Sequence, residues 1–195
     1  MLRKIGFILA STLPFLVMAQ SGQITSTLEI FDLESMSRTV VLSELAHFEA
    51  PNWSVDGTYL IINEGGLLYK VPVDGSEKEL LDSKPLDECN NDHGISPDGK
   101  YLAISNNDSV APTSGGTSRI YIMPLKGGEP LRVTPLWPSY WHGWSPDNKT
   151  LVYTAMRNGD FDIYSIPAFG GEEVRLTSAK GLDDGPEFSA DGKHI

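Results

Sequence analysis

One short phrase recurs four times in this chain and dictates its architecture. It reads Trp53-Ser54-Val55-Asp56-Gly57, Ile95-Ser96-Pro97-Asp98-Gly99, Trp144-Ser145-Pro146-Asp147-Asn148 and Phe188-Ser189-Ala190-Asp191-Gly192. Its serines are spaced 42, 49 and 44 residues apart. A period of about 40–50 residues is that of a four-stranded propeller blade. The chain is therefore expected to be all-β: a β-propeller of four-stranded antiparallel blades. The ring is expected to be incomplete, with about three full blades and partial blades at both ends.

Each unit repeats one grammar. After the Ser-x-Asp turn comes a β-branched and aromatic run: Tyr59-Leu60-Ile61-Ile62, Tyr101-Leu102-Ala103-Ile104 or Leu151-Val152-Tyr153-Thr154. A third strand follows, as at Ile120-Tyr121-Ile122 and Ile163-Tyr164-Ser165, and then an outer strand at 79–81, 131–134 and 174–177. Such runs suit strands buried on both faces. Gly57, Gly99 and Asn148 tolerate the positive φ of a tight turn, and the aspartates beside them accept nearby backbone N–H groups. Residues 27–33 and 38–42 resemble third and fourth strands without a first and second. Only 43–48 offers a helical turn.

The ends read differently from the middle. Arg3 and Lys4 precede a mostly apolar run, and Val17 and Ala19 stand at −3 and −1 of a cut before Gln20. Residues 1–19 are read as a secretory signal peptide, which predicts a periplasmic or secreted protein. The run is short for a membrane span. The propeller, 24–195, is expected to be truncated at its C-terminus, where residues 191–195 make a turn and begin a strand. The half-unit at 27–42 would then await strands from the missing part.

Removing Arg3 and Lys4 leaves 13 basic against 26 acidic residues. That balance argues against nucleic acid or an anionic membrane surface as partner. The acids are scattered among turns, as solubility alone requires. Cys89 is the single cysteine, so no internal disulfide forms. It is either a buried apolar filler or a free thiol.

The fuller pattern of Ser-Pro-Asp-Gly, an Asp-Ile-Tyr strand, Gly-Gly-Glu and Arg-Leu-Thr resembles the WD-like repeat of TolB-type β-propellers. Matching residues are Ser145-Pro146-Asp147, Asp162-Ile163-Tyr164 and 170–177, with a second copy within 96–134. The resemblance covers 24–195. It implies the fold and leaves activity open, because similar propellers occur in oligogalacturonate lyases and ahead of prolyl-oligopeptidase-type hydrolases.

Function must be read from what breaks the repeat. The Ser-x-Asp and Gly-Gly turns share one rim. The opposite rim carries the long segments 82–92, 106–118 and 135–141, and long loops on a rigid scaffold are where binding concentrates. On that rim His93 precedes Gly94-Ile95-Ser96 and His142 precedes Gly143-Trp144-Ser145, with Pro51 and Pro186 at the matching positions of the flanking units. Two imidazoles at equivalent points could share a divalent metal such as manganese. Resemblance to oligogalacturonate lyases implies that role, β-elimination on an acidic sugar. Alternatively, both histidines hydrogen-bond loop backbone and pack between blades, and no cofactor is needed.

Nearby, Trp137, Tyr140 and Trp141 either stack on a ligand or fill an interface, whereas Trp144 belongs to the repeat and to the core. Asn158, Asp160 and Asp162 alternate like calcium ligands but lack the later glycine and glutamate of a calcium loop. Ser96 and Ser145 open hairpin turns and are not nucleophiles.

The sequence thus predicts a binding module for a protein or glycan ligand, monomeric at full length and without a membrane span. Its ligand-binding residues would be Asp92, His93, Tyr140, Trp141 and His142. The alternatives are the metal-dependent lyase, with His93 and His142 as ligands, and the propeller part of a hydrolase.

Overall fold

The computed structural model describes residues 24–108 and 117–195. The predicted signal peptide and most of the 106–118 segment lie outside them. Three four-stranded antiparallel sheets follow one another along the chain. The first holds β3 (Phe48–Trp53), β4 (Tyr59–Glu64), β5 (Leu67–Pro72) and β6 (Glu79–Leu80). The second holds β7 (Cys89–Ile95), β8 (Tyr101–Asn107), β9 (Ser118–Pro124) and β10 (Leu131–Arg132). The third holds β11 (Ser139–Trp144), β12 (Thr150–Met156), β13 (Phe161–Pro167) and β14 (Val174–Arg175). Ahead of them β1 (Ser26–Asp32) pairs with β2 (Ser37–Glu44) as the expected half-blade. The sheets do not close into a ring: this is an incomplete β-propeller. The first strands β3, β7 and β11 touch in succession, so they face the common centre. Among the described residues no helix is long and apolar enough to cross a membrane.

The Ser-x-Asp phrase is a hydrogen-bonded unit. In each copy the serine Oγ donates to the aspartate Oδ1, at 2.8 Å for Ser54 and 2.7 Å for Ser96, Ser145 and Ser189. The same Oγ accepts the backbone N–H five residues on, from Tyr59, Tyr101, Thr150 and His194 at 2.9–3.1 Å. These bonds hold the asparates' carboxyls below their usual range, the serine hydroxyl being the main cause. Asn148 takes the glycine's place at φ 63°. Its Oδ1 also accepts the N–H of Asp98 at 3.0 Å, which ties the third turn to the second.

The core lies between blades, as expected for sheets stacked face to face. Leu28, Phe48, Leu60, Ile62 and Val71 seal the half-blade to the first sheet. Ile61, Leu68, Cys89, Leu102, Ile104 and Met123 seal the first to the second. Trp141, Trp144, Ala103, Ile120, Leu151 and Tyr153 seal the second to the third. Cys89 is the apolar filler: burial pushes its thiol up to about 12. Its reactive thiolate is thereby suppressed.

Two expectations are corrected. Segment 43–48 forms no helical turn. β2 runs to Glu44, where Ser43 pairs with Thr27, and Phe48 opens β3 with its N–H directed to Ser26 Oγ at 3.3 Å. Burying the Phe48 ring in the inter-blade core outweighs the weak local helix signal. The outer strands are also shorter than predicted, two residues each. Past each strand the backbone pairing continues briefly, from Leu81, Val133 and Leu176 to the third strand, with Thr134 adding a longer bond at 3.4 Å. Then Thr134 and Thr177 end the ladder, each Oγ1 accepting an N–H at 2.9 Å from Ile120 and Ile163. This explains the threonine that closes the repeat.

Candidate functional site

The rim opposite the Ser-x-Asp turns begins with irregular first strands. Asn52, Gly94 and Gly143 hold the same register, across from Ile61, Ala103 and Val152. One residue further out, the blades part. His93 stays in the ladder, across from Ile104, and the irregularity falls between Cys89 and His93. In the third blade Trp141 takes the place across from Tyr153, so His142 becomes the extra residue of a bulge. In the first blade the break falls at Ala50 and Pro51, and Ala50 adopts φ 55°. Bulges redirect side chains. Here they direct Asn91, Asp92 and His142 to one place.

The two histidines, equivalent in sequence, therefore differ in surroundings. His93 is 1% exposed, wedged between the first two blades with Nε2 3.5 Å from the Ile61 carbonyl oxygen. Burial drives its ring down to about 4, so it is neutral at ordinary pH. His142 is half-buried, and its Nε2 lies 3.1 Å from Asp184 Oδ1. His93 does not line the pocket in which His142 stands. Among the described residues no group of three or more His, Cys, Asp and Glu side chains is arranged to hold a metal ion.

That pocket has a volume of about 370 Å³. Asn91 and Asp92 come from the β7 bulge, and Tyr140 and His142 from β11. Thr154 and Phe161 flank the β12–β13 turn, while Leu182 and Asp184 lead into the fourth unit. Among the described residues no lysine or arginine lines it. Tyr140 and Phe161 form an aromatic wall, with ring centroids 6.3 Å apart and planes inclined by 46°. Trp141, expected beside Tyr140 on the rim, points the other way and is 8% exposed. Its ring packs so closely on Gly94 that a Cβ there would sit 2.1 Å from it. Trp144, also buried, donates its indole N–H to the Gly94 carbonyl at 3.0 Å. Strand alternation explains the split: Tyr140 and His142 face the pocket, and Trp141 between them faces the neighbouring blade.

Asp92 and Asp184 are both carboxylates of this pocket, with opposite shifts. Burial pushes the Asp184 carboxyl up, but it accepts from Thr154 Oγ1 at 2.8 Å and the Gly185 N–H at 2.9 Å, and it faces His142. Together these leave it below its usual range. Asp92 is raised to about 6, chiefly by burial; His142 opposes this, and Asp184 and Glu49 add to it. Its own N–H donates to Asn90 Oδ1 at 2.9 Å, which shapes the bulge. No donor reaches the Asp92 carboxyl among the described residues. The arrangement can bind and exchange a proton; it presents no activated nucleophile.

Three polar residues, each at the end of a second strand, carry this geometry from blade to blade. Asn63 Nδ2 donates to the Cys89 carbonyl at 2.8 Å, Ser105 Oγ accepts the Trp141 N–H at 2.8 Å, and Thr154 holds Asp184. All three are buried. Sequence reasoning placed none of them, nor Asp184 and Phe161. The repeat itself carried a signal for Asp184: it stands two residues before Pro186, as Tyr140 stands two before His142. Of the calcium-like alternation at 158–162, Asp162 belongs to the start of β13, where it is fully buried and pairs with Arg175 at 2.6 Å.

No family model matches the chain. An uncharacterized protein of Agrobacterium fabrum is 47% identical over 175 residues, covering 89% of this chain and 58% of that protein. A structure from Agrobacterium tumefaciens assigned to TolB superposes with a TM-score of 0.79 at 45% identity, over 87% of this chain and 59% of that one. The crystal structure of TolB from Acinetobacter baumannii gives 0.71 at 25% identity, over 86% of this chain and 41% of that one. The chain thus spans less than two thirds of the length of these relatives.

Proposed function

We propose that this chain, a β-propeller of the TolB type, acts as an exported binding module that engages a protein partner at its bulged rim, through Asp92, Tyr140, His142 and Asp184. The observation that carries the proposal is the rim pocket of about 370 Å³, where breaks in the repeat gather carboxylates and aromatic rings. Pockets of this size with a few convergent polar groups are the usual form of a binding site. The periplasmic or secreted location rests on the signal-like pattern of residues 1–19.

A protein is favoured over a glycan because the pocket holds two carboxylates, Asp92 and Asp184, and no lysine or arginine among its described lining residues. Neutral sugars offer hydroxyls, which hydrogen-bond these carboxylates without offsetting their charge. The lyase reading is disfavoured by the same chemistry. An acidic sugar would meet Asp92 and Asp184, with no lysine or arginine lining the pocket to receive its carboxylates. His93 stands apart, buried between blades.

The proposal is tested by placing a photo-crosslinking phenylalanine analogue at position 140, and separately at Val55 on the turn rim, in the native cells. Val55 is 64% exposed, so both positions can reach a partner. Protein adducts are expected from position 140 and not from position 55. Equal adducts from both rims, or none from position 140, overturns the reading.

A further inference from the structure

We propose that the rim pocket receives a basic side chain, lysine or arginine, presented by the protein partner. This rests on the reading of the rim as a protein-binding surface and names the group that the surface recognises.

The chain pairs its other half-buried or buried carboxylates with cations. Glu44 and Glu64 share Lys78. Asp108 holds Arg119 and accepts the Tyr121 hydroxyl at 2.9 and 3.0 Å. Asp162 holds Arg175 at 2.6 Å, and Glu173 holds Arg157 at 2.8 Å with Tyr153 at 2.8 Å. Two half-buried carboxylates have no such partner among the described residues. One is Asp92; the other is Asp183, whose Oδ2 is buried and accepts no hydrogen bond. Both stand at this rim, and Asp183 adjoins Asp184. A carboxylate withdrawn from water without a donor is costly, and a pairing cation offsets that cost.

The rest of the pocket suits such a cation. Asp92, from the second unit, and Asp184, from the lead into the fourth, both line the pocket, and Asp184 and the nearby Glu49 of the first unit act on Asp92 through their charge. The sole basic group lining the pocket, His142, already faces Asp184. The Tyr140 and Phe161 rings can cover the methylene stem of a long basic side chain and attract its head through their faces. The chain's formal net charge of −11 would draw a basic partner from a distance.

The test titrates the nitrogen-15-labelled protein with acetylated, amidated Gly-Gly-X-Gly-Gly peptides, where X is lysine, arginine, norleucine or glutamate. Lysine and arginine peptides are expected to shift the amides of Asn91, Asp92, Tyr140, His142 and Asp184. Norleucine and glutamate peptides should not. Asp92→Asn should weaken lysine-peptide binding about tenfold while its spectrum away from the pocket stays unchanged. Added salt should weaken binding further. Norleucine binding as well as lysine, lysine shifting no rim amide, or calcium chloride alone reproducing the full shift pattern would each overturn the inference. Adducts from position 140 with a silent lysine titration would sink this inference and leave the protein-binding rim standing.

Discussion

The two rims of this propeller obey different rules. On one, four copies of a serine–aspartate turn repeat the same hydrogen bonds to within about 0.2 Å, from 2.9 to 3.1 Å for the N–H five residues on. The fourth copy, at Ser189, keeps them although no strand of its blade follows among the described residues. Short-range chemistry suffices there. On the other rim, three first strands break their ladders in three different ways, and two equivalent histidines end in unlike places. Repetition builds the scaffold; departures from it make the pocket. Sites follow from register as well as from sequence equivalence.

The largest effect should come from the interface beneath the pocket rim. Gly94→Val puts atoms inside the Trp141 ring, whose nearest atom would be 2.1 Å from a Cβ. A loss of about 3 kcal/mol in urea unfolding is expected. Next come the buried latches. Ser105→Ala deprives the Trp141 N–H of its acceptor, at a cost of about 1–3 kcal/mol, and should also shift the Tyr140 resonances, since β11 is anchored there. On the turn rim, Ser96→Ala removes the acceptor of the Lys100 and Tyr101 N–H groups. It should cost about 1–2 kcal/mol and leave Tyr140 unmoved. Coupling between the rims in that variant would break the comparison. Smallest in stability is His142→Gln, within about 0.5 kcal/mol, because this residue is the extra one of a bulge, stands outside the apolar cluster of its blade, and its partner Asp184 is more than half exposed.

Asp92 sharpens the contrast through pH. Its folded value is about 6 against an ordinary 3.8, so the folded chain holds that proton more tightly than the unfolded one. Its contribution to stability is full below about pH 3.8 and is lost as pH rises through about 6. Asp92→Asn removes that loss. Relative to the parent, the variant should gain stability between pH 4 and pH 7 in thermal melts, and a constant difference across that range would count against the desolvated carboxylate.

Much of the fold was legible because it is written in local chemistry. The serine–aspartate phrases, the position of glycine or Asn148 and the β-branched runs each act within a few residues. The half-blade was readable for the same reason. Site residues were less so. Tyr140, His142 and Asp92 were singled out because they stand where the repeat is interrupted, and the fold brings the three to one pocket. Trp141 was misplaced because strand alternation turns it away from Tyr140, and the extra residue His142 sets it on the same side as Trp144, against Gly94. Asp184 and Phe161 depend on contacts across 30 and 21 residues, from Thr154 to Asp184 and from Tyr140 to Phe161, which only the folded blades bring together.

The most direct measurement is the carbon-13 titration of the Asp92 side-chain carboxyl. A midpoint near 6 is expected, moving down when Glu49 is replaced by Gln and moving up when His142 is replaced by Gln. A midpoint near 3.8, indifferent to both substitutions, would show a carboxylate open to water and no enclosed acidic pocket on this rim.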